Sequence, residues 1–118
     1  MKRGELWWAD LGPHRPLEQT GRRPVVVWQS DTLSRALQSV LVVPLTTNLD
    51  RAKLAGTALI AASPAGLPAD SVALAFQMRA IPKSTLTQRI RTLSDEELAE
   101  LELATDEALG RVEPGEAG

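Results

Sequence analysis

Along the chain, apolar residues come in short bursts separated by polar stretches that carry proline and glycine, a rhythm of short strands. The first burst, Glu5 to Leu11, is aromatic and apolar and is bounded by Gly4 and by Gly12-Pro13, so it predicts a strand. Val25 to Trp28 and Ser39 to Val43 are apolar, largely β-branched runs too brief for helices. They predict buried strands with a turn, or one short helical turn, between them. Thr57 to Ala61 and Ser71 to Met78 predict two more, joined by the Pro- and Gly-bearing loop Ser63 to Asp70. Arg89 to Leu93 alternates polar with apolar residues, as an edge strand does.

The period changes at Ser94. Leu98, Leu101, Ala104, Thr105, Ala108 and Leu109 recur at helical spacing, and Gly110 supplies a stop. Ser94 with Glu97 three residues on is a capping box, and acidic residues crowd the first turn, where the macrodipole favours them. The remaining RVEPGEAG has the composition of a frayed tail. The pattern therefore predicts one domain over residues 1–110 and a flexible tail over 111–118. Five or six short strands and a terminal helix give the fold class as mainly β with helices: a small, partly open β-barrel with a C-terminal α-helix.

Composition narrows the chemistry. The 118 residues suit one domain, and 43% apolar content is enough for a small core. The sequence has no cysteine and a single histidine, His14, which excludes a disulfide framework, thiolate metal sites and histidine clusters. No metal site and no cofactor is expected. No apolar run approaches the roughly 18 residues of a membrane span, so no membrane partner is expected and the expected location is the cytoplasm. Charge is informative once divided. Residues 1–93 hold twelve Lys and Arg against six Asp and Glu, whereas residues 94–118 hold one against nine. A basic body suits an anionic partner, nucleic acid first, while the acidic end is equally well explained as a solvated helix face.

No phosphate-cradling glycine loop, paired histidine motif or nucleophile elbow is present. Residues 13–24, PHRPLEQTGRRP, are too polar for core and read as an exposed loop. That loop brings Glu18, Gln19, Arg22 and Arg23; Thr46 and Thr47 follow a buried strand, and Gln77 and Arg79 close another. Arginine grips phosphate through paired hydrogen bonds, a threonine hydroxyl can add one, and a glutamate can take a proton from a ribose 2′-hydroxyl. These are the parts of a metal-free ribonuclease. Each has a plainer reading: Glu18 pairing with Arg22 or Arg23, the threonines bonding backbone at a strand end, Gln77 tying strands together, Arg79 as surface charge. Trp7, Trp8 and Trp28 could stack on bases, although alternation sends at least one of the first pair into the core.

Four ordered blocks resemble the MazF/PemK toxins: Arg3-Gly4-Glu5-Leu6-Trp7, Glu18 to Val27, Val42-Val43-Pro44-Leu45-Thr46-Thr47, and Asp70 to Ile81. The resemblance implies an SH3-like barrel, a homodimer with a basic groove, and sequence-selective, metal-independent cleavage of single-stranded RNA, chiefly mRNA. It implies products with a 2′,3′-cyclic phosphate and a 5′-hydroxyl. Arg23 matches the family's catalytic arginine, Thr46 its phosphate-contacting threonine, and Glu18 a loop acid required for activity. Gln19 and Gln77 match groove positions, and Arg15 lies in the loop that shapes base selection; Arg79 completes the expected RNA-binding set. The expected partner besides RNA is a MazE-like antitoxin whose acidic C-terminal segment lies in the groove. Phe76 stands where several relatives carry an acid, which leaves the role of base to Glu18, or to water with Arg23 acting as acid, and Ala80-Ile81-Pro82 replaces the more usual Thr-Ile-Asp. Two other readings belong to the same fold: a gyrase-binding toxin that cleaves nothing, and a degenerate member that only binds RNA or antitoxin.

Overall fold

The computed structural model describes residues 1–12 and 21–114. Among these, seven strands and two α-helices follow in the order β1 (Glu5–Asp10), β2 (Arg22–Val27), α1 (Asp31–Ala36), β3 (Ser39–Thr46), β4 (Thr57–Ile60), β5 (Ser71–Leu74), β6 (Arg79–Pro82), β7 (Leu86–Thr92) and α2 (Asp95–Ala108). All strand pairs are antiparallel. The hydrogen-bonded path runs β4-β5-β3-β2-β1-β7, with β6 joining β3. Its ends, β4 and β7, do not pair, so the sheet wraps its core without closing.

β3 is the hub. One side pairs with β2 from Val42 to Pro44; the other serves β6 from Ser39 to Val42 and β5 at Leu45 and Thr46. The change of partner falls at Val43-Pro44, so the N–H that proline lacks is not needed on that side. A proline that reads as a stop in the sequence therefore sits inside a strand.

Both faces of β2 and β3 are buried, which explains their unbroken apolar runs. Alternation sends Val26, Val43 and Leu45 to a larger core with Leu6, Trp28, Ile60, Leu101 and Ala104. It sends Val25, Val27, Val40 and Val42 to a smaller core with Ala9, Leu11 and Ile81, against which Trp7 and Leu86 pack. Gln29 ties α1 to the sheet: its amide donates to the Ser34 hydroxyl and the Ser39 carbonyl, and its oxygen accepts from the Leu41 N–H.

α2 is fixed at its start. Ser94 Oγ accepts from the Glu97 N–H at 3.2 Å, while Glu97 Oε1 accepts from the Ser94 N–H at 2.9 Å. The Arg91 guanidinium on β7 grips both Glu97 oxygens at 2.7 and 2.9 Å and donates to the Ala61 carbonyl at 3.0 Å. The Ala61 N–H in turn donates to Glu97 at 3.1 Å. Burial alone would raise the Glu97 carboxyl, but the Arg91 guanidinium and the Ser94 and Ala61 N–H groups hold it down at about 2. Gly4 lets the chain pass under the helix: its φ is +89° and a Cβ there would lie 2.9 Å from Leu98 Cδ2.

Four expectations change. The strand expected over Ser71 to Met78 stops at Leu74; Ala75–Gln77 form a 3-10 turn and Arg79 opens β6, a strand the pattern did not predict. β2 starts at Arg22, so Arg22-Arg23-Pro24 belong to a strand and not to the preceding loop. β7 starts at Leu86. The last turn of α2 overhangs the core, leaving Leu109 60% exposed where docking was expected. Among the described residues no helix is long and apolar enough to cross a membrane.

Candidate nucleic-acid interface

The pleat of the sheet places three of the candidate residues on one face. On β2, Arg23 follows the side that carries Val25 and Val27; on β3, Thr46 follows Val42 and Pro44. Arg79 on β6 pairs in register with Val42, and Ile81 with Val40, so Arg79 shares that face too. Val25 is registered on Pro44, and the same register carried two residues further brings Arg23 level with Thr46. Both therefore stand at the end of the sheet where β1 finishes and β2 begins, at the rim of the smaller core.

The end is held by backbone. Leu11 N–H donates to the Gly21 carbonyl at 2.8 Å and Gly21 N–H to the Gly12 carbonyl at 2.9 Å. Asp10 Oδ1 accepts from the Gly12 N–H at 3.0 Å. A cleft of about 340 Å³ opens beside it, between Asp10–Gly12 and Arg79–Pro82, with Thr85 on its wall.

Arg23 is exposed, and Thr46 and Arg79 are half-buried. Thr46 Oγ1 accepts from the Asn48 N–H at 3.2 Å, so the plainer reading of this residue holds in part. No acceptor takes its hydroxyl proton among the described residues, which leaves that proton able to point at an anion. Gln77 ends the 3-10 turn, and its Oε1 is shut from solvent with no hydrogen-bond partner among the described residues. Among the described residues no hydrogen bond of its side chain ties two strands together. Phe76 beside it is 45% exposed. His14, Arg15, Glu18 and Gln19 lie outside the described residues.

One relation was not read from the sequence: the Arg22 guanidinium lies over the Trp8 ring, 4.3 Å from its centroid. Its signal was present in the register, since Asp10 faces Arg22 and Trp8 faces Pro24, which puts both side chains on one side of neighbouring strands. Among the described residues no group of three or more His, Cys, Asp or Glu side chains could hold a metal ion.

The profile of one family, described as "PemK-like, MazF-like toxin of type II toxin-antitoxin system", matches residues 2–109. The endoribonuclease MazF of Staphylococcus saprophyticus is 37% identical over 110 residues, 93% of this chain and 92% of that protein. The endoribonuclease EndoA of Bacillus subtilis is 36% identical over 113 residues, 96% of this chain and 97% of that protein. A mycobacterial endoribonuclease solved with its cognate antitoxin superposes with a TM-score of 0.76 at 22% identity, covering 97% of this chain and 99% of the other. MazF of Deinococcus radiodurans gives 0.75 at 24% identity, over 93% and 96%. At those identities the two structures speak to the fold, which they share with this chain.

Proposed function

The chain belongs to the PemK-like, MazF-like toxins of type II toxin–antitoxin systems, and from that premise we propose that it is an endoribonuclease that cuts single-stranded mRNA without metal and without the ribosome. The observation that carries this reading is the convergence of Arg23 and Thr46 on one face at one strand end, with Arg79 beside a cleft on the same face. The curated relatives named above are endoribonucleases and match nearly the whole chain.

The chemistry follows from the side chains. The substrate's own 2′-hydroxyl attacks the adjacent phosphorus, its proton passing to a base, while the bond from phosphorus to the 5′-oxygen breaks. The leaving oxygen takes up a proton, and the products are a 2′,3′-cyclic phosphate and a 5′-hydroxyl. Charge builds on the non-bridging oxygens as the fifth bond forms. Arg23, always protonated, and the Thr46 hydroxyl stabilise that charge. Proton donation to the leaving group is a poor role for a guanidinium, which holds its protons tightly. Glu18 is the proposed base, and the apolar Phe76 offers no rival to it. Arg15, Gln19, Gln77 and Arg79 are proposed to bind the RNA strand. The protein is proposed to act as a homodimer and to be silenced by a MazE-like antitoxin with an acidic C-terminal segment.

Incubation of purified protein with a long, structure-poor RNA in EDTA tests the reading. Cuts at one short motif with cyclic phosphate and 5′-hydroxyl ends are expected. Folded protein that cuts none of several RNAs would overturn it and favour a toxin that binds gyrase or only RNA.

A further inference from the structure

Arg22 stands at the same end of the sheet as Arg23 and Thr46. It precedes Arg23 on β2 and, by alternation, reaches the end of the sheet from the opposite face. Its guanidinium rests on Trp8, whose partly buried ring is held between neighbouring strands. The nearest acid across the ladder, Asp10, is turned to the Gly12 N–H and forms no ion pair with it. No hydrogen bond or ion pair engages the Arg22 side chain among the described residues.

A second stack in the same chain shows what a structural one looks like. Arg3 lies over Trp28 at 4.0 Å, but it also pairs with Glu102 at 3.3 Å, and the Trp28 indole N–H donates to Thr105 Oγ1 at 2.9 Å. That stack joins the N-terminus to α2. Among the described residues the Arg22 stack reaches no element beyond the already paired β1 and β2. It orders an exposed guanidinium in advance, its N–H groups without an acceptor among the described residues, which lowers the entropic cost of gripping an anion.

We propose that Arg22, held on Trp8, is a further phosphate-binding position for single-stranded RNA, engaging a phosphodiester that flanks the one cleaved between Arg23 and Thr46. This rests on the ribonuclease reading and extends it. The RNA strand then crosses the end of the sheet, touching Arg23 on one face and Arg22 on the other.

The test uses an RNA oligonucleotide spanning a mapped cut site, with a single 2′-deoxy sugar at the nucleotide whose hydroxyl attacks, so that it is bound and not cut. Affinity is measured by fluorescence anisotropy from about 50 to about 200 mM salt for the wild type, Arg22→Gln, Trp8→Phe and, as control, Arg3→Gln. Arg22→Gln is expected to weaken binding about five- to tenfold at the lower salt and to reduce the slope of log affinity against log salt by about 0.7, the loss of one single-strand phosphate contact. Trp8→Phe keeps a ring under the guanidinium and is expected to bind within about twofold of wild type. Arg3→Gln is expected to leave affinity and slope unchanged. Unaltered affinity and slope in Arg22→Gln, in a wild type that cuts and binds RNA, would overturn this inference alone. Weakened binding of an acidic antitoxin peptide with RNA binding intact would overturn it in favour of a protein partner. A wild type that binds no RNA would remove the ribonuclease reading, and this inference with it.

Discussion

Arg3 over Trp28 and Arg22 over Trp8 are stacked at nearly the same separation, 4.0 and 4.3 Å, yet their surroundings are opposite. The first pairs with Glu102 and serves the docking of α2; the second has no hydrogen-bond or ion-pair partner among the described residues. The same contrast divides the molecule. Around the start of α2, Arg91, Glu97, Ser94 and Ala61 use one another's hydrogen-bonding groups almost completely. At the opposing strand end, the Thr46 proton and the Arg22 edges have no acceptor among the described residues. Polar groups that hold the fold are saturated, and polar groups left unspent at a strand end mark where a ligand can complete them.

The sharpest way to break this division is to remove one group from each side. Arg23→Ala or Thr46→Ala should slow RNA cleavage by more than about 100-fold, the scale of losing one donor to transition-state charge. Thermal midpoints should barely move in either variant, since both residues lie at the rim. Retained activity in a folded variant would take that residue out of the mechanism.

Arg91→Ala should do the reverse. It strands a carboxylate that is only 12% exposed and removes the grip between β7 and α2. A loss of about 2 to 3 kcal/mol in urea unfolding is expected, with cleavage by the folded fraction intact. An unchanged unfolding midpoint would show that the latch contributes nothing.

Acid sharpens the same point. Glu97 titrates at about 2 in the fold against an ordinary 4.5, so its contribution is fully present above about 4.5 and is lost as pH falls toward 2. Unfolding followed from pH 5 down to pH 2 should show that slope in the wild type and a flatter one in Glu97→Gln. Equal slopes would contradict the assignment. The smallest effect separates the two stacks: Arg3→Ala should cost about 1 kcal/mol, and Arg22→Ala about 0.5 kcal/mol or less, in the same unfolding assay.

Legibility in the sequence followed the physics of each segment. β1, β3 and β4 were visible because aromatic or β-branched runs were bounded by glycine or by a polar turn. α2 was visible to its first residue, because Ser94 and Glu97 form the capping box their spacing announces. Prolines misled in one direction. Pro44, which reads as a stop, sits inside β3 where it changes partners, and Pro24, which reads as loop, sits in β2. The 3-10 turn after Leu74 was hidden because Ser71 to Ala75 are all buried and leave no alternation to read. Of the site, the residue types were legible, but the meeting of Arg23 and Thr46 depends on the β2–β3 register, which no local pattern encodes. The role of Phe76 followed from resemblance alone, and the Arg22 stack needed the β1–β2 pairing.

The most direct measurement is the rate of cutting of two oligonucleotides that share a mapped site and differ by one oxygen, the 2′-hydroxyl of the nucleotide preceding the cut. The all-RNA strand is expected to be cut in EDTA to cyclic phosphate and 5′-hydroxyl ends, while the 2′-deoxy strand is bound and stays whole. Cutting of both at the same position would contradict attack by that hydroxyl, because the nucleophile would then come from elsewhere.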